Sequence, residues 1–348
     1  MKNSILLVNL DKGWGGGQEY LISLIDGLLT ANYQVGQILK TNSISDTRFP
    51  DNFTKYSNYF SLSFGGFKNI FNLIKFGTQY SIIHIHREHD LWLGLLIKLF
   101  QPKIKIFFSQ HICPSRNRFI FNFIDAISCN SEWVKDIFVK LNKPKLIVNI
   151  ISPCIELPNN IESVDLIGNP KILMTGTFYK NQTELITIFN ELIEDLPEAH
   201  LYLISPINDS ERKDELNKQI KSLKLEKQIS LITGLKRLEY LKLLKSADIL
   251  VSTYDKEGFG MALLEAAFLN KPIITYNQGG SVELLQDYAI LIEPKNTALF
   301  KTELLKVSKN LEGYSESRKE KSEYLKNKFN KQKFIQSHLE IYNKLIEN

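Results

Sequence analysis

The sequence predicts an α/β protein of two doubly wound, Rossmann-like domains facing each other across a cleft. Three observations predict it. Short apolar runs alternate with amphipathic helical stretches throughout, the pattern of parallel strands covered by helices on both faces. At 348 residues the chain exceeds one ordinary domain. A break at Ser152-Pro-Cys-Ile-Glu-Leu-Pro-Asn-Asn160, followed by a polar stretch to Pro170, carries the prolines and paired asparagines of a linker. Residues 1–155 and 165–330 are therefore read as the two domains, with a ligand cleft at the carboxyl ends of both sheets.

In chain order, Ser4–Leu10 is an apolar strand, Gly13–Gly17 a glycine turn and Gln18–Thr30 an amphipathic helix. Strands follow at Ile82–His86, Ile104–Ser109, Ala126–Cys129 and Leu146–Ile150, with helical segments between them. The pattern restarts at Lys171–Thr175 and continues through Leu201–Ser205, Ile229–Thr233, Ile249–Thr253, Pro272–Tyr276 and Ala289–Ile292. Two terminal helices, Tyr314–Lys328 and Lys331–Glu347, have no strand to serve. The last, residues 331–348, is expected to pack back onto the first domain.

Composition narrows the function. A hydrophobic fraction of 43% with 23% charged residues is that of a soluble globular protein. Leu91–Phe100 is interrupted by Lys98 and followed by Pro102, and Ile5–Leu10 is too short for a signal peptide, so the cytosol is the default location. Cys113, Cys129 and Cys154 lack metal spacing and are read as buried free thiols. His84 and His86 share one strand face, as a chelating pair or as pocket lining at a strand end. No Asp-x-Asp clip for a diphosphate-bound metal occurs, and neither a metal nor a resident cofactor is expected. From Lys295 onward, 12 Lys and Arg face 7 Asp and Glu, equal to the chain's whole excess of +5. Such a tail is either a solvated face or an attraction for an anionic membrane or acceptor. No basic stripe with interleaved aromatics suggests nucleic acid.

The chemistry concentrates in Asp255-Lys-Glu257-Gly-Phe-Gly-Met-Ala-Leu-Leu-Glu265-Ala. A buried strand, 247–253, precedes it, and Met261–Leu269 is a good helix former. Glu257 thus falls on a strand-to-helix loop, and Glu265 about two turns into the helix. Free amides at that helix start make an anion site, and glycines let a ligand approach the backbone. Carboxylates beside an anion pocket suit a ligand with both phosphates and hydroxyls, such as a nucleotide sugar. Gly15-Gly16-Gly17 gives the first strand a similar loop, without P-loop lysine or dinucleotide-fingerprint spacing, which disfavours an NAD-linked dehydrogenase.

In this context the segment resembles the Glu-x7-Glu motif of the retaining GT-B glycosyltransferases of family four (glycosyl transferases group 1). Leu238–Asp248, Lys271-Pro-Ile-Ile-Thr with Gly279-Gly-Ser-Val-Glu283, and Ser128-Cys-Asn-Ser131-Glu-Trp-Val-Lys resemble the family's neighbouring segments. The resemblance implies that Glu257 bonds donor-sugar hydroxyls and that Glu265 accepts from the ribose. It implies that the amides of Gly258, Phe259, Gly260 and Met261 face the diphosphate. Lys180, in Gly176-Thr-Phe-Tyr-Lys180-Asn181, matches the lysine that neutralises the leaving group, while Thr177 stands where the family has arginine. Lys236 or Arg237 is a candidate replacement, and Leu235 on the same loop a donor-side candidate. Gly15, Gly16 and Gly17 would lie near the donor phosphates, and His111 would reach the donor sugar. Arg116 and Arg118 are candidate contacts for an anionic acceptor.

The function implied is retaining transfer of a hexosyl or N-acetylhexosaminyl group from a nucleotide-diphosphate sugar to a saccharide, lipid-linked or protein hydroxyl, in bacterial surface polysaccharide, lipooligosaccharide or glycoconjugate synthesis. The first domain would serve the acceptor and the second the nucleotide sugar. A sugar-nucleotide epimerase and a non-catalytic partner subunit of the same fold are the alternatives. The Phe- and Lys-rich stretches Phe64–Phe76 and Phe119–Phe123 are candidates for peripheral contact with the inner face of a membrane, with core packing as their commoner fate.

Overall fold

The computed structural model describes residues 3–11, 13–40, 49, 54–58 and 64–347. The chain divides into two compact units, residues 1–154 with 329–348, and residues 155–328.

The first unit holds β1 (Ser4–Val8), β2 (Gln34–Lys40), β3 (Thr54–Asn58), β4 (Ile82–Ile85), β5 (Lys105–Gln110), β6 (Ala126–Cys129) and β7 (Val148–Ile150). They form one parallel sheet in the order β3-β2-β1-β4-β5-β6-β7. The side-chain period of two sorts each strand between two cores. Leu6, Val8, Ile83, Ile85, Ile106 and Phe108 face one layer, which contains the helices Phe64–Gly77, Leu91–Phe100 and Glu132–Asn142 and the short turn of helix Phe119–Phe123. Ile5, Leu7, Ile82 and Phe107 face the other, under the helices Gly16–Thr30 and Lys331–Glu347.

The last helix is held by Phe334, His338, Ile341, Tyr342 and Leu345, buried at the spacing of one helical face. It approaches the helix Gly16–Thr30 closely at Gly27, where a Cβ would lie 2.1 Å from Ile335 Cδ1. Tyr33 donates to Asn343 Oδ1 at 2.8 Å beside this contact.

The second unit holds β8 (Lys171–Thr175), β9 (His200–Ser205), β10 (Ile229–Thr233), β11 (Ile249–Ser252), β12 (Ile273–Tyr276) and β13 (Ile290–Ile292), parallel in the order β10-β9-β8-β11-β12-β13. Both sheets therefore have doubly wound order. The order in which strands are added reverses between β1 and β4 in one and between β8 and β11 in the other, all strands staying parallel. Loops leaving the carboxyl ends of such neighbours diverge and open a crevice.

Several expected boundaries shift. The sequence pattern does not predict β2 or β3. The expected strand from Leu146 begins at Val148. The expected glycine turn ends early: Gly15 is extended and its carbonyl accepts from Gln18 and Glu19, so Gly16 and Gly17 are already helical. The expected helix Tyr314–Lys328 is two, Leu311–Glu316 and Lys319–Lys328. It breaks where Arg318 turns its guanidinium onto the carbonyls of Tyr288, at 2.6 Å, and Tyr314, at 3.1 Å. None of the three cysteines forms a disulfide, and Cys113 is only half-buried. The side chains of Phe64 and Phe67 lie outside the described residues.

Candidate functional site

The crevice of the second unit is built from the loop after β8, Gly176–Asn181, and the loop after β11, Thr253–Gly260. Reciprocal hydrogen bonds stitch them together: Asn181 Nδ2 donates to the Thr253 carbonyl at 3.0 Å, and Thr253 Oγ1 to the Asn181 carbonyl at 3.0 Å. The stitch sets Lys180 against Glu257, with Nζ 2.6 Å from Oε2. Both side chains keep about a fifth of their surface in water, 22% and 21%. A pair so placed is held in position yet open to exchange with a ligand. Lys180 Nζ also stands 5.0 Å from the centroid of the Tyr254 ring. Gly176, at φ +140°, leaves the room its stem occupies, since a Cβ there would lie 2.7 Å from Lys180 Cδ.

Two glycine motifs far apart in sequence interlock around Glu257. Its carbonyl accepts from Gly280 N at 2.7 Å. Gly279, at φ +98°, brings its backbone so close that a Cβ would meet that oxygen at 2.6 Å. Gly260, at φ +89°, then turns the loop into the helix Met261–Phe268, and its carbonyl accepts from Leu264 at 3.0 Å. The first amides of this helix have no intrahelical acceptor and carry the positive end of its dipole. Phe259 is buried and anchors the loop.

Glu265 is the fifth residue of that helix, a little over one turn from its start and not two, although the helix begins at Met261 as expected. Only 2% of it is exposed. Arg237 Nη1 lies 2.6 Å from its Oε1, and the Tyr240 hydroxyl donates to Oε2 at 2.8 Å. Burial, with the Glu265 charge second, pushes the Tyr240 hydroxyl well above its ordinary pKa, so it stays a donor. Arg237, a candidate replacement for the arginine missing at Thr177, is thus engaged by Glu265, while Lys236 is exposed. Leu235 follows Gly234, which turns at φ +73°, and is half-buried. Thr177 Oγ1 is buried without a hydrogen-bond partner, although the Thr177 carbonyl accepts from Gln182 at 2.9 Å.

In the first unit, Gly15–Gly17 follow β1, and His86 and His111 follow β4 and β5. The buried Asp90 carboxylate steadies the chain after β1 by accepting from Leu10 N at 2.9 Å. A Cβ on Gly17 would meet nothing within 4 Å, and one on Gly15 only Gln18 Oε1 at 3.9 Å. Packing therefore imposes no need for glycine at either position.

His111 sits in a cluster of aromatic rings. Its Nε2 lies 2.9 Å from His86 Nδ1, and the Tyr20 ring packs edge-on against it with centroids 4.5 Å apart. His86 Nε2 is buried without a partner. His84 is structural: its Nδ1 lies 2.7 Å from Tyr342 Oη and its Nε2 2.7 Å from Ser109 Oγ. Its Tyr342 partner was not recoverable from sequence spacing, being 258 residues away. Arg118 is paired with Glu88, Nε to Oε2 2.7 Å, while Arg116 is exposed.

Two doubly wound parallel sheets in one chain are the plan of the GT-B fold, and solved structures of that fold share it. A glycosyltransferase from Rickettsia africae ESF-5 superposes with a TM-score of 0.81 at 18% identity, covering 100% of this chain and 99% of that one. Anabaena HepE in complex with UDP and glucose gives 0.83 at 15% identity, covering 97% and 99%. Residues 166–328 match the glycosyl transferases group 1 family, and residues 14–157 match Glycosyltransferase Family 4. Among curated proteins, the 2-deoxystreptamine N-acetyl-D-glucosaminyltransferase of Niallia circulans is 22% identical over 269 residues, 67% of this chain and 68% of that protein. No helix among the described residues is long and apolar enough to cross a membrane.

Proposed function

We propose that this glycosyltransferase moves a hexosyl or N-acetylhexosaminyl group from a nucleoside-diphosphate sugar to a hydroxyl acceptor, with retention at the anomeric carbon. The observation that carries this reading is the Lys180–Glu257 pair, Nζ to Oε2 2.6 Å, at the strand reversal of the second sheet and beside a helix start. A diphosphate sugar offers each partner what it wants. Its phosphates take Lys180 and the amides of Gly258, Phe259, Gly260 and Met261, and its hydroxyls take Glu257. Ribose hydroxyls then reach Glu265 through its remaining lone pairs or by displacing Arg237. HepE was solved with UDP and glucose, which agrees with a nucleotide-sugar donor.

In the reaction proposed, the bond from the anomeric carbon to the phosphate oxygen breaks as the acceptor oxygen bonds to that carbon from the same face. The acceptor proton passes to the departing phosphate oxygen. Lys180 and the helix amides hold the charge that builds on the diphosphate, and Glu257 faces the positive charge on the sugar. Neither metal nor resident cofactor enters the proposal. His111, Gly15, Gly16 and Gly17 keep the donor contacts the resemblance assigns, and Leu235 and Thr177 the donor side. The Lys180–Glu257 pairing gives a non-catalytic reading no need of its own, and the acceptor class envisaged is a surface saccharide, lipid-linked or protein hydroxyl.

The deciding experiment screens nucleotide sugars by thermal shift, since a bound donor raises stability by mass action. Stabilising donors are then incubated with candidate acceptors. The expected product is a glycoside whose anomeric proton coupling shows the donor's configuration. An inverted product rejects retention, and epimerised donor without transfer favours the epimerase.

Gly17 gives a separate test. Gly17→Ala lies in the first turn of a helix with open space for its methyl group, so a stability gain of up to about 1 kcal/mol is expected. If a ligand must approach this backbone, turnover falls nonetheless. A variant both more stable and fully active removes the first glycine loop from the site.

A further inference from the structure

The two layers of the first unit differ in what they show to solvent. Among the described residues, neither the helix Gly16–Thr30 nor the helix Lys331–Glu347 exposes a large apolar side chain beyond the ordinary range. The opposite layer exposes Leu99 at 77%, Phe119 at 73%, Phe71 at 64%, Phe100 at 62%, Phe123 at 52% and Trp92 at 43%. Single exposed apolar side chains, such as Ile112 and Ile147 on this unit's loops, are common, and a set of this size on one layer is not.

The elements that carry the set are neighbours. Helix Phe64–Gly77 packs on helix Leu91–Phe100, with Ile97 so near that a Cβ on Gly77 would lie 2.6 Å from its Cδ1. Helix Leu91–Phe100 packs in turn on Phe119–Phe123, and Lys98 Nζ reaches Asp125 Oδ2 just beyond it at 2.6 Å. The Phe119 and Phe123 rings touch edge-on, with centroids 5.3 Å apart.

Charge says what covers this surface. Residues 64–145 hold 12 Lys and Arg against 5 Asp and Glu, a net +7 that exceeds the +5 of the whole chain. Lys75, Lys103 and Arg116 are exposed, and none of them forms an ion pair among the described residues. Aromatic rings that enter an interface, surrounded by cations, fit an anionic bilayer; a protein partner's apolar face would not call for the surplus charge. We propose that the outer surface of this layer docks on an anionic lipid membrane. The proposal does not depend on the reaction assigned above, and its test uses no donor.

The full chain is sedimented with phosphatidylcholine vesicles, with and without phosphatidylglycerol at about a third of the lipid. At least tenfold greater partitioning onto the anionic vesicles is expected, weakening with added salt. Tryptophan emission should shift to the blue on those vesicles alone, and Trp92→Phe should remove most of the shift. Phe119→Ser with Phe123→Ser should lose at least tenfold in partitioning with little change in thermal denaturation, because both residues are more than half exposed. Lys103→Glu should weaken binding and flatten its salt dependence. Equal partitioning onto neutral and anionic vesicles, none onto either, or wild-type binding by the double serine variant overturns the proposal. So does a dimer in the absence of lipid that the double serine variant dissolves, which would make a second copy the occupant.

Discussion

Lys180→Ala is expected to lower kcat/KM at least a thousandfold, and Glu257→Ala by a similar factor, while both variants denature within a few degrees of wild type. Removing one preorganised donor to a developing anion typically costs about 3–4 kcal/mol of transition-state stabilisation, and Lys180 offers a full charge. Its contribution to folding is much smaller. An ion pair with about a fifth of each side chain in water contributes at most about 1 kcal/mol, and its loss strands neither group in an apolar interior. Lys180→Arg should recover little, because Gly176 leaves space for a thin stem and the planar guanidinium points its donors elsewhere. The double variant should lose little more than either single one, since the two side chains act on one reacting centre. Steady-state kinetics with a stabilising donor, alongside thermal denaturation, checks all four. Wild-type turnover in Lys180→Ala would remove the pair from the chemistry.

The parts of this molecule legible from sequence are those made by local pattern. β1, β4 and β5 are short apolar runs because both faces of the sheet are covered, and they were found within two residues of their ends. β2 escaped because Gly36 and Gln37 interrupt it. Gly36 is required by the Tyr80 ring, whose hydroxyl would lie 2.1 Å from a Cβ, and Gln37 is fully buried with its amide unpartnered. β3, Thr-Lys-Tyr-Ser-Asn, is a polar edge strand without an apolar signature. The loop of Glu257 was readable because its glycines are forced. Gly260 and Gly279 adopt left-handed or otherwise disallowed backbone angles, so their spacing survives in the sequence. The surroundings of Glu265 and His111 were not readable. Arg237, Tyr240 and His86 reach them through the order of strands, which no local spacing encodes.

The first unit should lose stability steeply below pH 6.5. Four of the chain's 6 histidines, His84, His86, His111 and His338, lie together where the last helix packs. His338 Nε2 lies 2.7 Å from the hydroxyl of the buried Tyr20, and its Nδ1 2.9 Å from the Phe334 carbonyl. Hydroxyls, a carbonyl and other imidazoles are their partners, and no carboxylate among the described residues bonds any of the rings. Burial pushes His111 down to about 4 and His338 to about 3, and burial with neighbouring imidazoles holds His84 and His86 well below the ordinary 6.5. Tyr20 and Tyr342, raised by burial, stay neutral throughout. The native array is therefore uncharged, whereas the unfolded chain takes up protons near pH 6.5. Below that value the unfolded state binds more protons, so the contribution is complete above pH 6.5 and drains away as pH falls toward the native pKa values. Each histidine adds a slope of up to about 1.4 kcal/mol per pH unit, and four together approach 5–6, enough to exhaust an ordinary domain's stability within two pH units. Urea denaturation followed by far-UV circular dichroism should show a midpoint falling sharply between pH 6.5 and about 4.5. His338→Gln should reduce that slope by about a quarter even if it lowers stability at pH 7.5, because it removes one of four titrating groups. A midpoint unchanged from pH 7.5 to 5, or an unaltered slope in His338→Gln, would mean that these imidazoles find protons in the native state as readily as in the unfolded one.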